Sequence, residues 1–375
     1  MEDSIVSNYS TESRILFVTP EAAFTPEGTE IRHNYNGSHT GGFGDYLAEL
    51  TSDLFHLGVD VQVVQPDYRR IFANLARSEQ TRSGSKLPID RVQLAEDRAF
   101  FYSKPIETNS EIENLKISLV FQREVINQII PRVQPNLIHC YDWMTGLIPA
   151  AAKKVEIPCL FTVQKINTAK SILSYVEDIG IDAAGFWQNL FYDRYPGSYE
   201  QTRNTNPLDL LLSGILAASH VNTADPQLLP GIAKGRSDFR SSPLKQLLAR
   251  KLTAGCACET PGPLHIGLNS TNHKKLDGSY RTESPHAVNQ KNDRARRQSI
   301  SFSNNRITAK GYIDLYEAIL QRPLVTSVNE KALPIYKNNL IKASNVRTIP
   351  YPKVRRTRSY ALANEQISIP ALAPI

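Results

Sequence analysis

Short apolar runs alternate with helical segments through the first two thirds of the chain. Residues 14–20 (RILFVTP) are apolar and end at Pro20, as expected for a strand that is buried on both faces. Residues 45–57 then carry leucines at helical spacing, and Gly58 follows as a stop signal. Residues 59–65 form the next apolar run, so a strand is followed by a helix and a second strand.

The same alternation continues to about residue 255. It predicts further strands at 135–140, 157–163 and 221–223, and helices in part of 112–133 and at 145–154, 186–192, 208–218 and 244–252. This order is typical of a parallel sheet with helices on both faces. We therefore expect an α/β fold with a Rossmann-like parallel sheet.

The expected domain boundaries follow from where this pattern starts and stops. We expect a polar N-terminus at 1–13, the Rossmann-like domain at 14–255, a disordered linker at 256–305, a returning C-terminal helix at 306–325 and a mobile basic tail at 326–375. The tail holds eight of the 43 Lys and Arg residues and two of the 37 Asp and Glu residues, which leaves 35 of each in residues 1–325. The excess positive charge therefore lies in the tail, and nucleic-acid binding by the body is not expected.

Composition excludes several other classes of protein. No run approaches 18 consecutive apolar residues, so no membrane span is predicted. The N-terminus lacks the basic start and apolar run of a secretory signal. Two of the four cysteines, Cys140 and Cys159, lie in apolar runs, and Cys256 and Cys258 lack the second ligand pair of a zinc site. A reduced cytoplasmic protein without a bound metal is expected.

A glycine-rich segment precedes the first predicted helix. It comprises His39, Thr40, Gly41, Gly42, Gly44 and Asp45. Its glycines allow close approach of the backbone, and a helix beginning at Asp45 would present free N–H groups to a phosphate or to a sugar attached to one. A tight loop without a ligand is the alternative, because the spacing is not that of the dinucleotide-binding fingerprint.

Polar residues also follow two predicted strands. His139, Asp142 and Trp143 lie at the end of one strand, and Gln164 follows the next. Ligands of open α/β sheets bind at the carboxyl ends of the strands. Asp142 can accept hydrogen bonds from sugar hydroxyls and Trp143 can pack on a sugar ring, although a structural role for this motif is the alternative.

In order and spacing, these segments resemble the ADP-glucose-dependent glycogen and starch synthases of glycosyltransferase family 5. The resemblance covers residues 14–255 and rests on 15–23 (ILFVTPEAA), 41–45 (GGFGD), 59–68 (VDVQVVQPDY), 139–147 (HCYDWMTGL), 208–226 and, beyond them, 307–325.

This resemblance implies the N-terminal half of a GT-B fold, in which two Rossmann-like domains face each other across a cleft. It implies glucosyl transfer, with retention of configuration, from ADP-glucose as the donor substrate to the non-reducing end of an α-1,4-glucan, without a cofactor. The segment from His39 to Asp45 would face the donor, whereas His139, Asp142 and Trp143 would face the sugar side of the cleft. The glucan is the implied partner, and an intact synthase or a second copy of this chain is a further candidate.

Among the departures of the chain from the family pattern, two bear most directly on activity. Gln164 stands where the family motif has its active-site histidine, so no catalytic residue of that motif is intact. Only residues 259–306 separate Cys258 from Ile307, whereas a second Rossmann-like domain needs more than about 100 residues. We therefore expect a shortened member with impaired catalysis, and the alternatives are an inactive glucan-binding or regulatory partner of an intact synthase and the product of a decayed gene.

Overall fold

The computed structural model describes residues 13–21, 23–24, 43–71, 87–104, 106–224, 228–233, 242–261 and 307–322. All of them belong to one compact unit. The predicted N-terminal segment before residue 13, most of the predicted linker and the whole predicted tail lie outside the described residues.

A seven-stranded parallel sheet forms the centre of this unit. Its strands are β1 (Arg14–Val18), β2 (Asp60–Pro66), β3 (Val92–Ala95), β4 (Leu137–Tyr141), β5 (Cys159–Val163), β8 (His220–Thr223) and β9 (Ala257–Glu259). The spatial order is β3-β2-β1-β4-β5-β8-β9. This is the doubly wound Rossmann order with one added strand, which confirms the predicted α/β fold class. A separate antiparallel pair joins β6 (Lys170–Ser171) and β7 (Leu208–Asp209).

Helices connect the strands and cover the sheet. They are α1 (Phe43–His56), α2 (Arg98–Phe101), α3 (Glu111–Glu124), α4 (Ile130–Val133), α5 (Ile148–Lys154), α6 (Leu173–Asp178), α7 (Tyr199–Arg203), α8 (Leu210–Ala217), α9 (Leu228–Ala233), α10 (Pro243–Thr253) and α11 (307–320). A π-helical segment, Val125–Ile129, joins α3 to α4, so the predicted helix within 112–133 is continuous with one irregular turn.

One face of the sheet packs against both α1 and α11. The buried cluster includes Phe17 from β1, Leu47 and Leu54 from α1, and Tyr312 and Tyr316 from α11. The long α1 and the late α11 therefore share a single hydrophobic core with the first strands. Because burial of such side chains is the main driving force of folding, α11 is an integral part of this core.

The structure differs from the predicted elements in several places. The predicted helix at 208–218 is instead strand β7 followed by α8, which begins at Leu210. The predicted helix at 145–154 begins only at Ile148, after a 3-10 turn at Trp143–Thr145.

Residues 186–192 were expected to be helical, but only a 3-10 turn forms at Trp187–Asn189, and Tyr192 pairs with Leu208 in an antiparallel bridge. Tertiary pairing overrides helix propensity there. The edge strands β3 and β9 were not predicted, because both are short and only partly buried and so lack a continuous apolar run.

Candidate functional site

The strand order reverses between β1 and β4. From β1 the chain runs outward to β2 and β3 on one side, and β4 begins the series on the other side. In open α/β sheets a crevice forms at the carboxyl ends of the strands at such a switch point. The residues that directly follow β4 and β5 are therefore the candidate site.

A strained turn begins directly after β4. Asp142 adopts φ 55° and ψ −177°, a backbone conformation that residues other than glycine rarely adopt. Its N–H donates to the Thr162 carbonyl oxygen over 3.0 Å. The Thr145 hydroxyl lies 2.9 Å from the Tyr141 carbonyl oxygen and 3.0 Å from that of Asp142. These contacts hold the turn in place, and local backbone strain of this kind is common at functional sites.

The Asp142 carboxylate connects this turn to the end of β5. Its Oδ1 accepts hydrogen bonds from the backbone N–H of Gln164 at 2.7 Å and of Lys165 at 3.2 Å. Burial raises the pKa of Asp142 to about 6, and the two backbone hydrogen bonds and the Lys165 charge oppose that rise. Asp142 thus positions the segment that carries Gln164.

Gln164 presents an unsatisfied donor at this edge. Its Nε2 is buried and has no hydrogen-bond partner among the described residues. Trp143, on the neighbouring turn, is half-buried. The structure therefore brings Asp142, Trp143 and Gln164 to the carboxyl edge of adjacent strands, as the sequence suggested, and leaves one amide donor without an acceptor.

Two side chains of helix α3 form hydrogen bonds to the backbone that follows the Asp142 turn. Gln122 Oε1 accepts the Leu147 N–H over 2.6 Å, and the Ser118 hydroxyl donates to the Met144 carbonyl oxygen over 3.2 Å. Both side chains are fully buried. Sequence reasoning missed them, although two polar residues four positions apart on an otherwise apolar helical stretch are a detectable signal.

His139 has a different place from the one expected. The ring is fully buried, Nδ1 lies 2.8 Å from the Tyr316 hydroxyl, and Nε2 lies 2.7 Å from Thr162 Oγ1. Thr162 Oγ1 in turn donates to Asn222 Oδ1 at 2.5 Å, so it accepts from Nε2–H, and Nδ1 accepts from Tyr316. Asn222 Nδ2 then donates to the Tyr312 hydroxyl over 3.4 Å.

This chain of hydrogen bonds joins α11 to β4, β5 and β8. It requires a neutral imidazole, and burial holds the pKa of His139 well below its usual range. Because the ring has no exposed surface, this geometry favours a packing role for His139 over the expected contact with a sugar.

The glycine-rich segment lies mostly outside the described residues. This applies to His39, Thr40, Gly41, Gly42 and the Asp45 side chain. Gly44 lies in the first turn of α1, which begins at Phe43 and thus two residues earlier than expected. The proposed phosphate contact of this segment stays a prediction.

Asp209 and two of the cysteines have structural roles. Asp209 caps α8, accepting the Leu212 N–H at 2.9 Å, and receives the Thr168 hydroxyl at 2.7 Å. Cys140 and Cys159 are buried free thiols.

In the described part of the chain, no group of three His, Cys, Asp or Glu side chains could hold a metal ion. None of the described helices is long and apolar enough to cross a membrane.

Comparison with known proteins places these features in context. The family model of the starch synthase catalytic domain matches residues 14–239. Glycogen synthase 2 of Geobacter sulfurreducens is 31% identical over 133 residues, which cover 30% of this chain and 27% of that protein. The glycogen synthase of Cellvibrio japonicus is 26% identical over 240 residues, which cover 56% of this chain and 45% of that protein.

The solved catalytic domain of Starch Synthase IV from Arabidopsis thaliana, bound to ADP and acarbose, is also similar. The TM-score is 0.44 at 14% sequence identity, over 66% of this chain and 50% of that chain. The chain spans less than half the length of each of the two curated relatives.

Proposed function

The chain belongs to the starch synthase catalytic domain family, and we propose that it acts in glucosyl transfer from ADP-glucose to the non-reducing end of an α-1,4-glucan. The observation that carries this proposal is the family match over residues 14–239. That match includes the Asp142 turn and Gln164. The family assignment confirms the resemblance that the sequence motifs indicated.

Within that activity, the carboxyl edge of β4 and β5 is the proposed glucan side. Gln164 Nε2 is a buried donor that lacks an acceptor among the described residues, and a sugar hydroxyl is an acceptor of suitable size. Trp143 supplies a half-buried aromatic surface, which suits the apolar face of a sugar ring. Asp142 holds the turn that carries Trp143 next to the segment that carries Gln164, because its carboxylate accepts hydrogen bonds from the backbone N–H of Gln164 and Lys165.

On the donor side, the segment from His39 to Asp45 remains the proposed contact for the phosphates and glucose of ADP-glucose. Its support is the position of α1, whose N-terminus at Phe43 directly follows Gly41 and Gly42 in the sequence. A helix N-terminus offers free N–H groups and a positive dipole end to a phosphate.

A second candidate function is glucan binding without turnover, as a partner of an intact synthase or of a second copy. The observation that favours it is Gln164 itself, because an amide cannot act as a general acid or base. In that case the candidate site at Asp142 and Gln164 would still bind glucan, whereas glucosyl transfer would need catalytic groups from another chain.

The test is release of ADP from ADP-glucose in the presence of glycogen, measured on the purified chain and on Gln164→His. Gln128→His is the matched control, because Gln128 is exposed on the π-helical segment away from the site. Glycogen binding is measured in parallel by retardation in native gels that contain glycogen.

Three outcomes separate the candidates. Glycogen-dependent ADP release by the unchanged chain supports the transferase and overturns the prediction of impaired catalysis. Retardation by glycogen without turnover, in the unchanged chain and both variants, supports the binding partner. Absence of both turnover and retardation contradicts both functions and favours the product of a decayed gene.

A further inference from the structure

A cluster of polar side chains lies at the amino edge of the sheet, at the opposite end of the strands from the candidate site. Cys256 directly precedes β9, and His220 is the first residue of β8. Val221 pairs with Ala257, and the Val221 N–H donates to the Cys256 carbonyl oxygen at 2.9 Å. Continued by one residue, this parallel register places His220 beside Cys256, with both side chains on the same face.

Two cations from different helices meet at this edge. Arg322 follows α11, donates from Nη1 to the Gly255 carbonyl oxygen and has that nitrogen 3.7 Å from Cys256 Sγ. Lys251, on α10, donates to the Ala218 carbonyl oxygen, two residues before His220. Burial and then these two charges lower the pKa of His220 to about 4. Both charges that act on the ring are therefore positive.

His220 has unused hydrogen-bonding capacity. The residue is 6% exposed, and neither ring nitrogen has a hydrogen-bond partner in the described part of the chain. An unsatisfied buried polar group costs free energy, so such groups are rare and usually have a specific reason. A carboxylate that displaced Arg322 from Gly255 would accept from the imidazole N–H and remain close to both cations.

The other three cysteines provide internal contrasts. Cys140 and Cys159 are 0% and 1% exposed. Cys258 is partly exposed like Cys256, but burial and the charge of Glu259 raise its pKa to about 11. Among these thiols, Cys256 combines partial exposure with a guanidinium group in contact.

We propose that Cys256 is a modification site for small anionic disulfides, such as the disulfide of an acidic peptide. The Cys256 thiolate attacks one sulfur of the disulfide, the S–S bond breaks, and a mixed disulfide forms at Cys256 while the other half leaves as a thiolate. The carboxylates of the incoming disulfide are held by Arg322, Lys251 and His220. This site is independent of the proposed glucosyl transfer.

The experiment compares an anionic with a neutral disulfide, because their rate ratio separates recruitment of the reagent from the nucleophilicity of the thiol. The probes are the dianion dithiobis(nitrobenzoate) and neutral dithiodipyridine, whose leaving thiols absorb light. Both react with the full chain carrying Cys258→Ser, and peptide mass spectrometry identifies the labelled cysteine. Arg322→Gln removes the guanidinium, and Arg132→Gln removes an exposed guanidinium from α4, which has no contact with Cys256 among the described residues.

We expect Cys256 to be the labelled residue. The anionic-to-neutral rate ratio should fall about three- to tenfold in Arg322→Gln, from the Coulomb energy of a dianion about 6 Å from one charge in water. The ratio should stay constant in Arg132→Gln and fall when salt is raised, because screening weakens the attraction. A ratio that is unchanged in Arg322→Gln, or preferential labelling of Cys140 or Cys159, overturns the proposal.

Discussion

Replacement of Asp142 by asparagine tests the electrostatics of the candidate site. The amide keeps an oxygen that accepts the backbone N–H of Gln164 and Lys165, which lie 2.7 and 3.2 Å from the present acceptor. It removes the partly buried negative charge. The variant therefore preserves the turn and isolates the cost of ionising Asp142.

The sign of the effect follows from the raised pKa. A carboxyl group with a pKa of 3.8 in the unfolded chain and about 6 in the folded protein binds more protons when folded between those values. The stability of the unchanged protein therefore falls as pH rises from 4 to 6, through this group. The full difference corresponds to about 3 kcal/mol. Because Asp142 is only half-buried, solvent screening reduces this difference, and we expect about 1.5–2.5 kcal/mol between pH 4 and 8.

The assay is urea denaturation at several pH values between 4 and 8, followed by circular dichroism. The difference in unfolding free energy between Asp142→Asn and the unchanged protein should move by that amount in favour of asparagine as pH rises. Asp182→Asn is the control, because the Asp182 side chain is 77% exposed. A difference that does not vary with pH, or one that moves towards aspartate at high pH, would refute the reasoning.

Two further substitutions test the packing around the site. Gly146→Ala should cost about 3 kcal/mol or prevent folding, because the added Cβ would lie 1.9 Å from the Leu210 carbonyl oxygen; an unchanged urea midpoint would contradict this close approach. Thr162→Val should cost about 2–3 kcal/mol, since it leaves His139 Nε2 and Asn222 Oδ1 unpaired, whereas Thr162→Ser should retain most of the stability. Equal losses in the two Thr162 variants would show that the hydroxyl is unimportant.

The strands of the sheet interior could be predicted from the sequence because their signal is local. In β1, β4 and β5 nearly every residue is buried, so each appears as a continuous apolar run. The edge strands β3 and β9 escaped prediction because their residues are mostly half-exposed. The same locality applies to the site, since Asp142, Trp143 and Gln164 follow predicted strands and parallel strands bring their carboxyl ends together.

The role of each side chain depended on partners that are distant in sequence. The sequence predicted that His139 faces a ligand, but its Nδ1 is hydrogen-bonded to the hydroxyl of Tyr316, which lies 177 positions later on α11. The sequence predicted this helix but not which residues it contacts. Asp142 stays a predicted sugar ligand, and its Oδ1 accepts a hydrogen bond from the backbone of Gln164, 22 positions away.

Apolar runs and motif spacing predicted the sheet, the family and the edge of the sheet that holds the candidate site, because burial on both faces leaves a pattern in neighbouring residues. Tertiary packing decided which buried polar atoms have hydrogen-bond partners and which have none. The sequence does not show this, because partners on neighbouring strands and helices produce no periodic pattern along the chain.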